Sequence, residues 1–466
     1  MTPGHEADHA AFCGLSAGAR VAWGKSDRKT DDWLPLFRHM CDSGAVAGRL
    51  WDAWLPPSVR ELVSEGLPGG PQDGRRLAVW MAASHDIGKA TPAFACQSDS
   101  LAQTMRSRGL DMPSLKQLGD DRKLAPHGIA GQLLLQEWLL ERHGWSHRAS
   151  GQFAVVVGGH HGVPPSHQRI HDLELRPHLL RTGGPAGRSW KAVQYELLDA
   201  CARFAGADAR LGDWRRVKLT QPAQVALTAL VIVADWIASS AELFPYSLDE
   251  EGLGSTQERM EAAWRGLDLP TPWEPDEPRE AVDVLFRSRF ELRRGAVVRP
   301  VQEEAVRTAR EMVPAGLVII EAPMGEGKTE AAFAAAEILA ARSGAGGCMV
   351  ALPTRATGDA MFTRLLAWLD HLPRDDGASS VFLGHAKAAF NDTWAGLLRS
   401  GSRAVTAVDD DGMQRIPPPG AERRENPAGL QAHQWLRGRK KGLDRSPGTL
   451  SVQFIGAFGA RSTSVN

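Results

Sequence analysis

Apolar positions recur at helical spacing through roughly the first 260 residues, with polar positions between them. GAVAGRLWDAWL (44–55), RRLAVWMAASHD (75–86), GIAGQLLLQEWLLERHG (128–144) and PAQVALTALVIVADWIASSAELF (222–244) each place apolar side chains on one helix face. Pro222 suits the first turn of the last segment, where its missing N–H costs nothing. Loops rich in glycine and proline, such as 64–75 and 181–189, separate these segments. There is no sustained alternation and no internal repeat. The pattern predicts a helical domain over 1–268.

The pattern changes after LPTPWEPDEPRE (269–280), an acidic, proline-rich stretch that reads as a linker over 269–292. Beyond it, short β-rich runs at 316–323 and 348–354 flank the helical run 330–344. Strand, helix, strand predicts a parallel α/β sheet over 293–466. The expected architecture is therefore a mainly α-helical domain followed by an α/β domain.

Composition adds exclusions more than assignments. A chain of 466 residues calls for more than one core. A net charge of -1 gives no global attraction to nucleic acid, so any such binding needs local patches. Five scattered cysteines with no C-x-x-C pair suggest reduced thiols. The N-terminus lacks the basic-then-apolar order of a signal peptide, and the longest apolar run (225–238) is short for a bilayer and holds Asp235. A soluble, cytoplasmic protein without membrane contact is expected.

Two groups of residues carry chemistry. APMGEGKTE (322–330) follows a strand-like run and opens an alanine-rich helix. Small residues there let backbone N–H groups turn inward onto phosphate oxygens. Gly325 and Gly327 belong to that turn; Lys328 would reach the outer phosphates of ATP, and Thr329 would hold Mg²⁺. The bland alternative is a tight turn between strand and helix. Thr354, Arg355 and Thr357 follow the next run, where hydroxyl and guanidinium groups can grip a nucleic-acid backbone or simply form a loop.

The second group lies in the helical region. His39, the pair His85–Asp86 of AASHDIGKA, His127, the pair His160–His161 between glycines, and Asp235 in the most apolar segment appear in that order. Each alone has an ordinary explanation as a core or capping residue. Asp235 would cost several kcal/mol if left unpartnered, but a neighbouring helix could supply its hydrogen bonds. The adjacent histidines between glycines are harder to dismiss, because glycines let the backbone fold closely over a shared centre.

The order H, HD, H, HH, D resembles that of the HD superfamily of metal-dependent phosphohydrolases. Segments 25–39, 85–97, 126–131, 158–162 and 233–245, followed by the phosphate loop, resemble the Cas-three nuclease-helicases of type I CRISPR systems. The resemblance runs from about residue 20 to residue 443. It implies that His39, His85, Asp86, His127, His160, His161 and Asp235 bind two divalent transition-metal ions (Fe, Mn, Co or Ni), with Asp86 bridging. Two such ions polarise a phosphate and activate water. Lys89 would lie near the scissile phosphate and Gln302 in the adenine-reading position, with Thr354, Arg355 and Thr357 in the following helicase motif. The implied substrate is single-stranded DNA, and the implied partner is the crRNA-guided surveillance complex, Cascade, on its target.

The sequence departs from the family after 443. No D-E-x-H follows residue 330, and ARSTS (460–464) stands where the family has G-T-I-D-Q. A one-base shift of codons for Gly-Thr-Ile-Asp-Gln can yield Ala-Arg-Ser-Thr-Ser, so a frameshifted tail, a truncated helicase and lost unwinding are expected. An exposed sheet edge and poor solubility would follow. The basic run 437–441 reads equally as a DNA contact or a solvated turn. An HD nucleotide phosphohydrolase with a regulatory P-loop, or a remnant that only binds, are the alternatives.

Overall fold

The structure, a computed structural model, describes residues 11–400 except 13, 28–29, 247–253, 268, 270–272, 314–315, 374–380, 382 and 385–387. The basic run 437–441, the family-like stretch 433–443 and the tail with 460–464 lie outside the described residues. Two compact units emerge: 11–53 with 63–267, and 54–62 with 269–400. The boundary between them falls near 268, and 54–62 group with the second unit.

After a short helix, Ala17–Val21, the first unit forms an antiparallel ribbon, β1 (Trp23–Ser26) and β2 (Trp33–Pro35), pairing Lys25 with Leu34 and Ser26 with Trp33. The register shifts between Trp23 and Lys25, so Gly24 forms a bulge. The strands are only 4 and 3 residues long, too short to show alternation, which is why the helical reading passed over them. Seven helices of this unit matter below: α1 (Leu36–Ala53), α2 (Gly70–Ser84), α3 (His127–His143), α4 (His147–Gly158), α5 (Gly184–Phe204), α6 (Gln221–Ala238) and α7 (Thr256–Leu267). Their polar faces point outward and their apolar faces close one core. Trp80 of α2 is fully buried there, with its ring 6.0–6.3 Å from those of Trp138, Phe153 and Trp214.

Buried charge pairs lock this core from the side. Asp73, near the start of α2, accepts hydrogen bonds from Arg210, Arg76, Trp214 Nε1 and its own Gly69 N–H. Asp42 on α1 pairs with Arg259 on α7 at 2.9 Å. Both carboxylates are fully buried, so each cation is needed to offset desolvation. By length and composition α6 is apolar enough to cross a membrane, being longer than the run 225–238, but it packs against α1, α2 and α4.

The second unit holds α8 (Val282–Arg289), α9 (Pro300–Glu311), α10 (Lys328–Ser343) and α11 (Arg355–Asp370). Leu285, Phe286, Val306, Ala309 and Ile338 form one core, and Phe333, Leu365, Trp368 and Leu372 another. The expected linker 269–292 is thus only partly a linker: α8 buries Leu285 and Phe286, and Arg289 pairs with buried Glu337 at 2.9 Å. Among the described residues neither 316–323 nor 348–354 pairs into a ladder, and Leu317 and Ile319 are 84% and 72% exposed. A helix satisfies its own backbone, whereas a parallel strand needs neighbours far along the chain. Cys348 and Val350 do pack onto the second core. The four described cysteines, Cys41, Cys96, Cys201 and Cys348, are free thiols.

Candidate metal centre

Helix ends in the first unit converge on one carboxylate. His39 sits one turn into α1, and His85 caps the C-terminus of α2. Asp86 precedes the 3-10 turn Ile87–Lys89, and His127 begins α3. His160 and His161 follow α4, while Asp235 lies in the last turn of α6. The turn after Asp86 can reach α3 only because residue 88 is glycine: a Cβ there would stand 1.9 Å from the His127 carbonyl oxygen.

Asp86 is buried and presents one oxygen to each side. Its Oδ2 lies 3.1 Å from His39 Nε2 and 3.4 Å from His85 Nε2. Its Oδ1 lies 3.4 Å from His127 Nε2 and 3.7 Å from His160 Nε2. Asp235 Oδ1 approaches the same two nitrogens, His39 Nε2 at 3.1 Å and His85 Nε2 at 3.4 Å. On the far side His161 Nε2 comes within 2.7 Å of His127 Nε2. Two ligand groups result: His39, His85, Asp86 and Asp235, and then His127, His160 and His161, with donor atoms within 4.8 Å of one another in each. All seven residues expected to bind metal are brought together. The first group is almost closed, and the second opens to solvent at His161.

Chemically these residues fit divalent cations. His85 Nδ1 and His160 Nδ1 each lie 2.6 Å from a backbone carbonyl, of Ala82 and Val157. A carbonyl can only accept, so Nδ1 carries a proton and Nε2 faces inward, the nitrogen by which each ring would hold a cation. His85 Nε2 and both Asp86 oxygens are buried yet make no well-directed hydrogen bond. The electrostatics agree. Burial, then the neighbouring His161, hold His127 and His160 well below the usual imidazole range, so both are neutral. Burial opposes protonation of His85, yet Asp86 and Asp235 raise it to about 10, so its Nε2 holds a proton that an incoming cation would displace. Burial would lift both carboxylates, but Lys89 and His85 hold Asp86, and Lys25 and His85 hold Asp235, well below the ordinary range. Two carboxylates thus draw positive charge to a point ringed by imidazoles.

Lys89 is 2% exposed, with Nζ 2.7 Å from Asp86 Oδ2 and donating to Gly24 O at 3.0 Å. Burial, opposed by Asp86 and helped by Lys25, lowers it to about 8.

Residues 23–244 match the family model described as Cas3, HD domain. Through this domain the chain belongs to the Cas3 family. It is 32% identical over 386 residues to the CRISPR-associated nuclease/helicase Cas3 of Streptococcus thermophilus, covering 79% of this chain and 40% of that protein. With the CRISPR-associated endonuclease/helicase Cas3 of Thermus thermophilus it shares 29% identity over 95% of this chain and 44% of the relative. A crystal structure of a CRISPR-associated protein superposes with a TM-score of 0.61 at 31% identity, over 77% of this chain and 39% of that one. The chain therefore spans about two fifths of the length of the curated Cas3 proteins it matches.

Outside the Cas3 HD domain, the phosphate loop has the backbone its glycines suggest. Gly325 and Gly327 adopt φ of 83° and 76°, and Gly327 caps α10. Lys328 folds back to donate to the Ala322 and Pro323 carbonyl oxygens. Gln302 is buried beside the loop, its Nε2 donating to Gly327 O at 3.4 Å. Thr329 Oγ1 accepts from Arg364 at 3.1 Å, a contact no motif signalled. Thr354 caps α11 by accepting from Thr357 N–H, and Thr357 Oγ1 donates to Thr354 O at 2.8 Å, so both hydroxyls serve the helix end. Arg355 is the first residue of α11.

The sequence reading also passed over Lys25 and Ser239, which meet beside Asp235. Lys25 lies within the quoted segment 25–39, but a lysine on a short strand carries no signal of its own.

Proposed function

We propose that the helical unit is a metal-dependent nuclease that cuts single-stranded DNA in CRISPR-based antiviral defence. One observation carries this reading: a single buried carboxylate, Asp86, turns one oxygen to each of two ligand groups. Five imidazoles with two carboxylates suit Fe, Mn, Co or Ni better than Mg. Two such ions would supply Lewis-acid activation of a phosphodiester and of the attacking water. The chain's own residues do the rest. Asp86 ties the groups together, Asp235 completes the closed group, and His161 marks the side from which a strand can enter. Lys89, held against Asp86, is the proposed cation beside the scissile phosphate.

In the second unit, Lys328 and Thr329 with Gly325, Gly327 and Gln302 are proposed to hold ATP with Mg²⁺, and Thr354, Arg355 and Thr357 to meet nucleic acid. An α/β, RecA-like fold for this unit belongs to the same proposal. The names of the curated relatives tie them to CRISPR systems; a cytoplasmic location and the crRNA-guided surveillance complex as partner belong to the same proposal.

The test is cleavage of labelled single-stranded DNA by the full chain in Mn²⁺ or Ni²⁺, with chelator as control. Residues that merely support metal ligands cost about 10–100-fold when removed, so loss of the bridging ligand in Asp86→Ala is expected to exceed about 100-fold. An Asp86→Ala protein that still cuts at the wild-type rate in either metal overturns the assignment.

A further inference from the structure

Beside the metal centre lies a buried cation that the proposed reaction does not use. Lys25, on β1, is 2% exposed. Its ammonium donates to Ser239 Oγ at 2.6 Å and stands 3.7 Å from Asp235 Oδ1. Ser239 caps α6 one turn beyond Asp235, and its hydroxyl donates to Asp235 Oδ1 at 2.7 Å. The direction of this chain is forced. An ammonium has donors only, so Ser239 Oγ must accept from Lys25, which leaves its single proton for Asp235. The oxygen so held is the one facing His39 and His85.

The ribbon explains how Lys25 reaches this place. The bulge at Gly24 seats β1 directly on α1, where a Cβ at position 24 would meet Leu36 Cα at 3.2 Å and His39 Cβ at 3.5 Å. Gly24 O also anchors Lys89 at 3.0 Å. β1 thus supplies a carbonyl that holds Lys89 beside Asp86 and an ammonium beside Asp235.

We propose that Lys25, acting through Ser239, is a positioning residue for Asp235, fixing Oδ1 toward His39 and His85 so that the carboxylate enters the first ligand group already oriented. This rests on the reading of the site as a metal centre. Hydrogen-bonded neighbours that orient a ligand are worth about 10–100-fold in metal affinity. Simple charge repulsion has the opposite sign: deleting a buried cation near a divalent ion strengthens binding. The sign of the effect therefore separates positioning from repulsion.

The experiment is calorimetric titration of the full chain with Mn²⁺ and with Ni²⁺, alongside the thermal midpoint of the metal-free protein. Lys25→Met and Ser239→Ala are each expected to weaken the tighter binding step by about 10–100-fold. The double variant should be no weaker than the weaker-binding single one, because the lysine works through the hydroxyl. Ser239→Ala removes one oxygen only, and decides the matter if Lys25→Met does not fold. Affinity that is unchanged or raised, additive losses in the double variant, or a lower midpoint with affinity intact overturns the proposal. A wild-type chain that binds neither ion overturns the metal-centre reading itself, and that outcome is distinct from a wild type that binds while its variants bind equally well.

Discussion

The candidate metal centre and the proposed phosphate loop are built in opposite ways. The first gathers seven side chains from five places in the sequence, and nearly all are buried against helix ends. The second is almost contiguous, from Gly325 to Thr329, and takes its shape from two glycines in the left-handed region. Its flanking run exposes Leu317 and Ile319, while the carbonyls that flank Asp86, Ala82 O and Gly24 O, are each engaged. A site made of helix ends is oriented by packing and carbonyl contacts within its own unit. A site at a strand end depends on ladder partners that can lie anywhere in the chain. The two should therefore respond differently to the same kind of damage.

The sharpest way to break the centre is Gly88→Ala. The added Cβ has backbone, not a flexible side chain, in its path, so the turn after Asp86 must separate from α3. That pulls Asp86 from His127 and divides the two ligand groups. The expected cost is about 3 kcal/mol or more in unfolding free energy, together with loss of one of the two proposed ions. Denaturant melts and metal analysis check both, and wild-type stability with two ions bound would show that the turn has room to give.

Lys328→Ala is the matching cut in the loop. It removes a charge-assisted contact to phosphate worth about 1.5–3 kcal/mol, or roughly 10–100-fold in the Kd for ATP. Metal binding by the helical unit should not change. Titration with a fluorescent ATP analogue, with Mn²⁺ binding measured in parallel, reads both halves of this expectation. Coupled losses would mean that the two sites are not independent.

A smaller effect separates the scaffold of the centre from its chemistry. Burial would raise Asp73, but Arg210, Trp214, the Gly69 N–H and Arg76 hold it at about 2 against an ordinary 3.8. A carboxylate lowered in the folded state stabilises fully above its ordinary value and progressively less as pH falls toward its folded one. Thermal midpoints should therefore drop between about pH 4 and pH 2, in part through this group. Asp73→Asn should melt earlier at neutral pH and lose that part of the slope. Parallel curves for the two proteins across this window would remove Asp73 as its source.

What could be read from the sequence follows the same division. Helical periodicity located α2, α3, α6 and α10 to within a few residues of their described ends. The order of histidines and aspartates brought out all seven residues that the fold gathers, because each stands where an apolar helix begins, ends or is interrupted. The ribbon could not be read, since three or four residues carry no period, and with it went Lys25. Leu285 and Phe286 were hidden for another reason: their helix follows a proline-rich stretch whose composition resembles a linker. The strand-like runs 316–323 and 348–354 show the converse, since β-rich composition marks a segment able to pair without naming its partner.

Thr354 gives the smallest and most discriminating test. Its hydroxyl caps α11, accepting from Thr357 N–H at 3.3 Å and lying 2.9 Å from Thr357 Oγ1. Loss of such a cap in Thr354→Ala costs about 1 kcal/mol, or roughly 2–4 °C in the melting of a unit of this size. Serine keeps the acceptor oxygen, so Thr354→Ser should restore the midpoint. If capping is the whole role of this residue, the affinity of Thr354→Ala for single-stranded DNA stays at the wild-type value, measured by fluorescence anisotropy at fixed salt. If the hydroxyl also grips a phosphate, affinity falls for the alanine variant and recovers for the serine one in step with the midpoint. An affinity loss with no change in midpoint would separate the two roles and place this helix end, like the ends of α2 and α6, in direct service of a site.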